Sequence, residues 1–120
     1  MKLTGSCQCG ATKFEVAAAP SSVTRCTCSI CSKLGALWAY YRPEDFKLQE
    51  QPSCETTYRW STKSVAFKFC SACGCSTYNE TFDWSTGEAG APMISVNARL
   101  FDDFDVDSVA VDVIDGKNEW

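Results

Sequence analysis

The sequence predicts a mainly β domain whose loops carry cysteines. Short runs of β-branched, aromatic or alternating residues are punctuated by Gly, Pro and Ser. No apolar repeat of helical period is sustained over about 11 residues. Eight of the nine cysteines fall into three tight groups, each beside one of the strand-like runs.

Residues 11–16 alternate, with Phe14 and Val16 on one face and Lys13 and Glu15 on the other, and are bounded by Gly10 and by Ala19-Pro20-Ser21-Ser22. That pattern is a half-buried strand. Val23-Thr24-Arg25 is a short β-leaning lead into Cys26-Thr27-Cys28-Ser29-Ile30-Cys31, and residues 37–41 have the aromatic density of a strand leaving that loop. Arg42 to Phe46 reads as a turn, with one helical turn started by Pro43. Residues 56–60 and 65–69, separated by Ser61-Thr62-Lys63-Ser64, suit a β-hairpin; Val65, Phe67 and Phe69 share a face assigned to the core. This hairpin delivers Cys70-Ser71-Ala72-Cys73-Gly74-Cys75. Residues 84–92 are small and Gly-rich and read as a loop, residues 93–98 as a strand, and residues 109–114 as a further candidate strand.

A chain of 120 residues suits one domain spanning 1–120, long enough to bury a core. With 45% apolar and 22% charged residues it has the composition of a soluble globule. Its first residues hold no apolar run of signal-peptide type, and no stretch approaches the roughly 18 apolar residues of a membrane span. A reducing cytoplasm is therefore expected, with cysteines kept as thiolates or metal ligands. Net charge is −4, with an acidic run at Asp102-Asp103-Phe104-Asp105-Val106-Asp107 and no basic cluster, which argues against nucleic acid as a partner. The run itself reads as a solvated loop. There is no His, so a metal must be held by Cys or carboxylate.

Cysteines one residue apart are poorly placed for a disulfide, because the short ring strains the bond. They can share a metal. Cys70-Ser71-Ala72-Cys73-Gly74 has the form of a zinc knuckle, which supplies two thiolates and needs two more. Cys7 and Cys9, or two of Cys26, Cys28 and Cys31, are the candidates. A site made of Cys7, Cys9, Cys70 and Cys73 would close a loop of about 60 residues at roughly 4 kcal/mol of chain entropy, against roughly 10–16 kcal/mol from structural zinc binding. In that arrangement Cys26, Cys28 and Cys31 stand together as three thiolates with a vacancy. Zinc held by three thiolates is a weak Lewis acid, unsuited to making hydroxide but suited to capturing an external thiolate and fixing it for attack on an electrophile. Arg25, Lys33 and Arg42 are near in sequence and could offset charge or hold a carboxylate.

Gly5-Ser6-Cys7-Gln8-Cys9-Gly10-Ala11, the Cys26 to Cys31 motif followed by Lys33 and Gly35, and Phe69-Cys70-Ser71-Ala72-Cys73-Gly74 together resemble the glutathione-dependent formaldehyde-activating enzyme family, which also contains the centromere protein V domain. The likeness extends to Thr56-Thr57-Tyr58-Arg59-Trp60, to Ser95-Val96-Asn97-Ala98-Arg99 with Asp102-Asp103, and to Asp115-Gly116 with Asn118. It implies a β-tent of two packed antiparallel sheets with two zincs per chain. Cys7, Cys9, Cys70 and Cys73 would hold a structural ion, and Cys26, Cys28 and Cys31 an open, catalytic one. The implied activity is that of a carbon-sulfur lyase or synthase joining formaldehyde to glutathione as S-hydroxymethylglutathione. This chain has Thr27 and Lys68 where relatives commonly have His. Cys54 and Cys75 lie outside the shared motifs, and either would close the second site if it reached it. Closure of both sites is the alternative reading, a structural or binding zinc module without catalysis.

Overall fold

A computed structural model describes residues 2–49, 54–60, 65–86 and 88–119. Two short strands, β1 (Leu3–Ser6) and β2 (Lys13–Val16), pair antiparallel across the Cys7 turn. Next come β3 (Ser22–Cys26), the six-residue helix α1 (Ser29–Leu34), β4 (Trp38–Tyr41), a 3-10 turn at Pro43–Asp45 and β5 (Phe46–Leu48). The second half holds β6 (Glu55–Trp60), β7 (Val65–Cys70), β8 (Ser76–Phe82), β9 (Pro92–Asn97), β10 (Ala110–Ile114) and a single turn, α2 (Gly116–Glu119). They form a three-stranded sheet ordered β1-β2-β5 and a seven-stranded sheet ordered β10-β3-β4-β9-β8-β7-β6.

The expected two-sheet, mainly β architecture is present. All pairings are antiparallel except β10 with β3, which run parallel. The 65–69 hairpin strand pairs with 55–60 as expected, and its turn at 61–64 lies outside the described residues. The Pro43 turn and the strands at 13–16, 38–41, 92–97 and 110–114 match the sequence reading. Strands β1, β5 and β8 and both helices were not anticipated.

The sheets pack face to face through alternate residues. Phe14 and Val16 of β2 and Phe46 and Leu48 of β5 meet Val23, Ala39, Tyr78, Ile94 and Val96 of the larger sheet. The Phe46 ring lies 4.8 Å from that of Tyr78 across the gap, and Phe14 lies 5.9 Å from Phe101 with the rings at 67°. Such tilted contacts add to area burial. The opposite face of the large sheet carries a second cluster of Cys26, Cys28, Cys31, Ala36, Trp38 and Phe67, with Val65 and Ile114 at its margin. Val65 and Phe67 therefore do share a face, but it is the thiol face and not the intersheet core. Phe69 does not join them, because the pairing with β8 slips in register between Phe67 and Phe69.

Gly5 sits where β1 passes over Phe14 and bridges to Phe101. A Cβ there would stand 2.7 Å from both the Leu100 carbonyl oxygen and the Phe14 ring. Backbone and a buried ring cannot both yield, so Gly5→Ala is expected to cost about 1–3 kcal/mol. Thermal denaturation should show a midpoint lowered by several degrees, and an unchanged midpoint would show that the intersheet gap widens freely at this point. Among the described residues no helix is long and apolar enough to cross a membrane.

Candidate metal centres and the cavity beside them

The first thiol cluster forms where two tight turns meet. The β1–β2 turn is closed by Gly10 N–H to the Cys7 carbonyl at 3.1 Å and Cys7 N–H to the Thr12 carbonyl at 3.1 Å. After β7 the same device recurs, with Gly74 N–H donating to the Cys70 carbonyl at 2.7 Å. Gly10 and Gly74 have φ of 81° and 82°, the left-handed region that a side chain disfavours. The two turns bring the sulfurs of Cys7, Cys9, Cys70 and Cys73 within 4.8 Å of one another. Cys7 Sγ is 3.7 Å from Cys9 Sγ, which is 3.6 Å from Cys70 Sγ. Four sulfurs about 2.3 Å from a tetrahedral ion stand about 3.8 Å apart, so the spacing fits zinc. The donor set, all thiol, fits it too.

In the second cluster β3 ends at Cys26, Cys28 precedes α1, and Cys31 lies in the first turn of that helix. All three are buried, and their sulfurs lie within 4.8 Å of one another. Among the described residues no other Cys, Asp or Glu joins this group. Cys75 lies beside the first cluster: its thiol is raised because burial and Cys73 outweigh the Gln8 backbone N–H that favours the thiolate. The Cys54 backbone lies against the turn after β7, its carbonyl accepting from Ser71 N–H at 2.8 Å and Ser71 Oγ at 2.9 Å.

Each cluster behaves as a set of thiols that cannot all ionise without a cation. The Cys26 thiol is held down to about 6, chiefly by a hydrogen bond from Cys31 and, against the cost of burial, by backbone N–H groups of Cys28 and Gly116. Cys31 is pushed far up by the same pairing and by burial. In the first cluster Cys73 is lowered to about 6 by the backbone N–H of Cys75 and then of Cys9. Cys9 is raised to about 12 because Cys70 and Cys7 outweigh the Ala11 N–H. A metal displaces these protons, so its affinity in both clusters rises with pH.

Thr27 turns its side chain away from the thiols and ties the cluster to the end of the chain. Its Oγ1 donates to Asp115 Oδ1 at 2.9 Å and accepts from Lys117 N–H at 3.2 Å, while Thr27 N–H donates to the Ile114 carbonyl. Asp115 also accepts from Asn118 Nδ2 at 2.7 Å, and these bonds, Asn118 first, hold its carboxyl below the usual range. The resemblance at Asp115, Gly116 and Asn118 thus has a structural counterpart: the segment clamps the Cys26 to Cys31 loop. Lys68 faces away from the thiols, pairing with Glu80 at 3.1 Å and Glu55 at 4.0 Å.

Over the three sulfurs opens a cavity of about 490 Å³. Its floor is the thiols with Trp38 and Phe67, whose rings meet edge to face at 6.3 Å. Alternate residues of β4, β8 and β9 give one wall: Tyr40, Asn79, Thr81, Met93 and Ser95. Phe82 and Trp84 also line it, their rings 6.3 Å apart and nearly perpendicular. The buried Trp38 indole N–H makes no conventional hydrogen bond; it faces the Cys31 sulfur, whose thiolate it favours. Tyr40, partly exposed at the cavity, has its hydroxyl raised by desolvation and by the nearby thiols of Cys26 and Cys31. Arg25, Lys33 and Arg42 do not line the cavity, and Arg42 pairs with Asp45 at 2.9 Å.

The sequence reading found the thiols but not the cavity wall. Asn79, Thr81, Met93 and Ser95 come from two strands and form no motif along the chain. Phe82-Asp83-Trp84, two aromatics at the end of a polar strand, was the available signal.

A two-sheet β domain with one four-thiol and one three-thiol cluster, each able to hold a metal ion, is the class of protein these features define. The chain belongs to the glutathione-dependent formaldehyde-activating enzyme family, whose model matches residues 2–113. It is also similar in fold to a crystallographically solved protein of Rhodobacter sphaeroides, with a TM-score of 0.76 and 24% identity over 92% of this chain and 99% of that one.

Proposed function

We propose that this protein is a zinc-dependent carbon-sulfur lyase or synthase of the S-(hydroxymethyl)glutathione synthase type, acting on an adduct of glutathione, or a similar small thiol, with formaldehyde or another small electrophile. The observation that carries the reading is the convergence of Cys26, Cys28 and Cys31 at the floor of a cavity, with no fourth protein ligand beside them among the described residues. A closed structural module would need that ligand. Cys7, Cys9, Cys70 and Cys73 have their four already and would serve as the structural site.

Zinc bound by the three thiolates would supply a soft position for an incoming thiolate. The chain's own residues prepare the surroundings. Trp38 and Phe67 pack against the sulfurs, and the Trp38 N–H favours charge on Cys31. Thr27 and Asp115 fix the loop that presents the sulfurs. Holding thiol and electrophile together in this cavity substitutes for their encounter in solution. In the synthase direction the thiol gives up its proton, a bond forms between its sulfur and the aldehyde carbon as the C=O π bond breaks, and the oxygen takes up one proton, so that thiol and aldehyde add with nothing lost.

Proton NMR of adduct formation from formaldehyde and glutathione, in single turnover with enzyme in excess, tests the reading. The zinc-loaded protein is expected to accelerate the reaction, and Cys28→Ser to return it to the uncatalysed rate with unchanged circular dichroism. Identical rates with and without the wild-type protein would sink the proposal.

A further inference from the structure

An electrophile in the cavity meets more than one sulfur. Beside the incoming thiolate stand the three of the cluster, all of which line the floor. Reaction at one of these would form a sulfur–carbon bond and turn a thiolate ligand into an uncharged thioether, which no longer balances the charge of a metal. Cys31 is the most open to it, 8% exposed against 6% for Cys26 and 3% for Cys28.

Trp38 stands beside Cys31 with a donor to spare. The side chain is 2% exposed and packs in the same cluster as the three sulfurs, and its Nε1–H meets no oxygen or nitrogen among the described residues. A buried donor left unpaired is costly and uncommon. The group it faces is the Cys31 sulfur. Pairing of Trp38 with Thr24 of β3 on one side and Asn97 of β9 on the other fixes its backbone, and Phe67 packs on the ring edge to face. A thiol accepts hydrogen bonds weakly, whereas a thiolate accepts a charge-assisted one. Metal loading therefore supplies the acceptor that the indole lacks. The bond draws charge from the sulfur, and the nucleophilicity of a sulfur falls with its basicity.

We propose that Trp38 guards Cys31: its indole N–H donates to the metal-bound Cys31 thiolate and makes that sulfur a poorer nucleophile than the thiolate brought in by the substrate, so that the electrophile is left to the substrate. Trp38 is then a positioning residue, acting through Cys31 on which sulfur reacts. The inference deepens the proposed function and rests on its metal site at Cys26, Cys28 and Cys31.

Replacing zinc by ¹¹³Cd makes the bond visible. In ¹⁵N-labelled protein loaded with it, one of the four tryptophan indole protons is expected to show a scalar coupling to cadmium through Cys31, and Trp38→Phe to remove that signal. No coupling from any indole proton in the wild type overturns the proposal, whatever the variant's folding. Iodoacetamide, which forms a sulfur–carbon bond and expels iodide, reads the consequence in the zinc-loaded protein. Fragment-ion mass spectrometry is expected to find Cys31 alkylated roughly three- to tenfold faster in Trp38→Phe than in the wild type, with Cys26 little changed. Phe67→Leu loosens the same packing without removing a donor, and is expected to leave that selectivity alone. An equal rise at Cys26 and Cys31 in Trp38→Phe, or the same selective rise in Phe67→Leu, overturns the guarding role. Glutathione separates the inference from the reading beneath it: if it leaves the cadmium resonance of the three-thiol site unshifted while the indole coupling is present, the open-metal reading fails and the Trp38 assignment stands.

Discussion

Cys70→Ser is expected to lose one metal equivalent and, with it, the native fold. Cys70 is fully buried at the end of β7, and its sulfur stands 3.6 Å from that of Cys9. The four-thiol cluster joins a turn of the three-stranded sheet, at Cys7 and Cys9, to a turn of the seven-stranded sheet, at Cys70 and Cys73. One ion would therefore cross-link both layers. Structural zinc binding contributes roughly 10–16 kcal/mol, comparable to or larger than the roughly 5–15 kcal/mol by which a domain is stable. A serine hydroxyl does not ionise to replace the thiolate, and the remaining three sulfurs would keep only part of that stabilisation. The expected loss is at least about 5 kcal/mol, read as a collapse of the thermal transition and a fall from two zincs per chain to one or fewer. A variant that keeps two zincs and an unchanged midpoint would remove Cys70 from the structural site.

Much of this site was legible because thiols able to hold a metal cluster along the chain. Each knuckle needs its thiols one or two residues apart with a turn beneath them, so Cys7-Gln8-Cys9 and Cys70-Ser71-Ala72-Cys73 announce themselves without tertiary information. Strand β2 was legible because its outer face is polar and its inner face is Phe14 and Val16. Strand β8 was not, because its cavity face is Asn79 and Thr81 while Thr77 is also fully buried, so burial there does not follow hydrophobicity. Helix α1 is six residues long, too short for a helical period to show. Strand β5 has three residues, and its membership of the small sheet depends on pairing with β2, 30 or so residues away in sequence. The distribution of cavity residues over separate strands follows from the same fact: sheet order, and not chain order, brings β4, β9 and β8 side by side.

The same contrast predicts that metals held in the two clusters would leave separately. The second cluster spans Cys26 to Cys31, a local loop whose closure constrains little of the chain, and it offers three protein ligands. Losing its ion would release α1 and the Thr27 to Asp115 clamp without parting the sheets, since the intersheet core of Phe14, Phe46, Tyr78 and Val96 lies on the other face. A chelator in limited excess is therefore expected to remove one zinc quickly, abolishing adduct formation while the β-sheet circular dichroism is kept and only the small helical signal of α1 is lost. The second zinc should leave slowly and together with the fold. The pH dependence has a definite sign. Protons compete for the sulfurs, and Cys31 in particular, raised by Cys26 and by burial, yields its proton only to metal or to high pH. Lowering the pH must then weaken the three-thiolate site, and raising it must strengthen it, with Cys26 taking up its proton near pH 6 in the metal-free cluster. Activity should accordingly fall on the acid side in step with loss of the first zinc, while the thermal midpoint holds until the second is lost. Simultaneous release of both metals, with activity and fold disappearing at one chelator concentration, would show that the three-thiol cluster is as much a part of the framework as the four-thiol one.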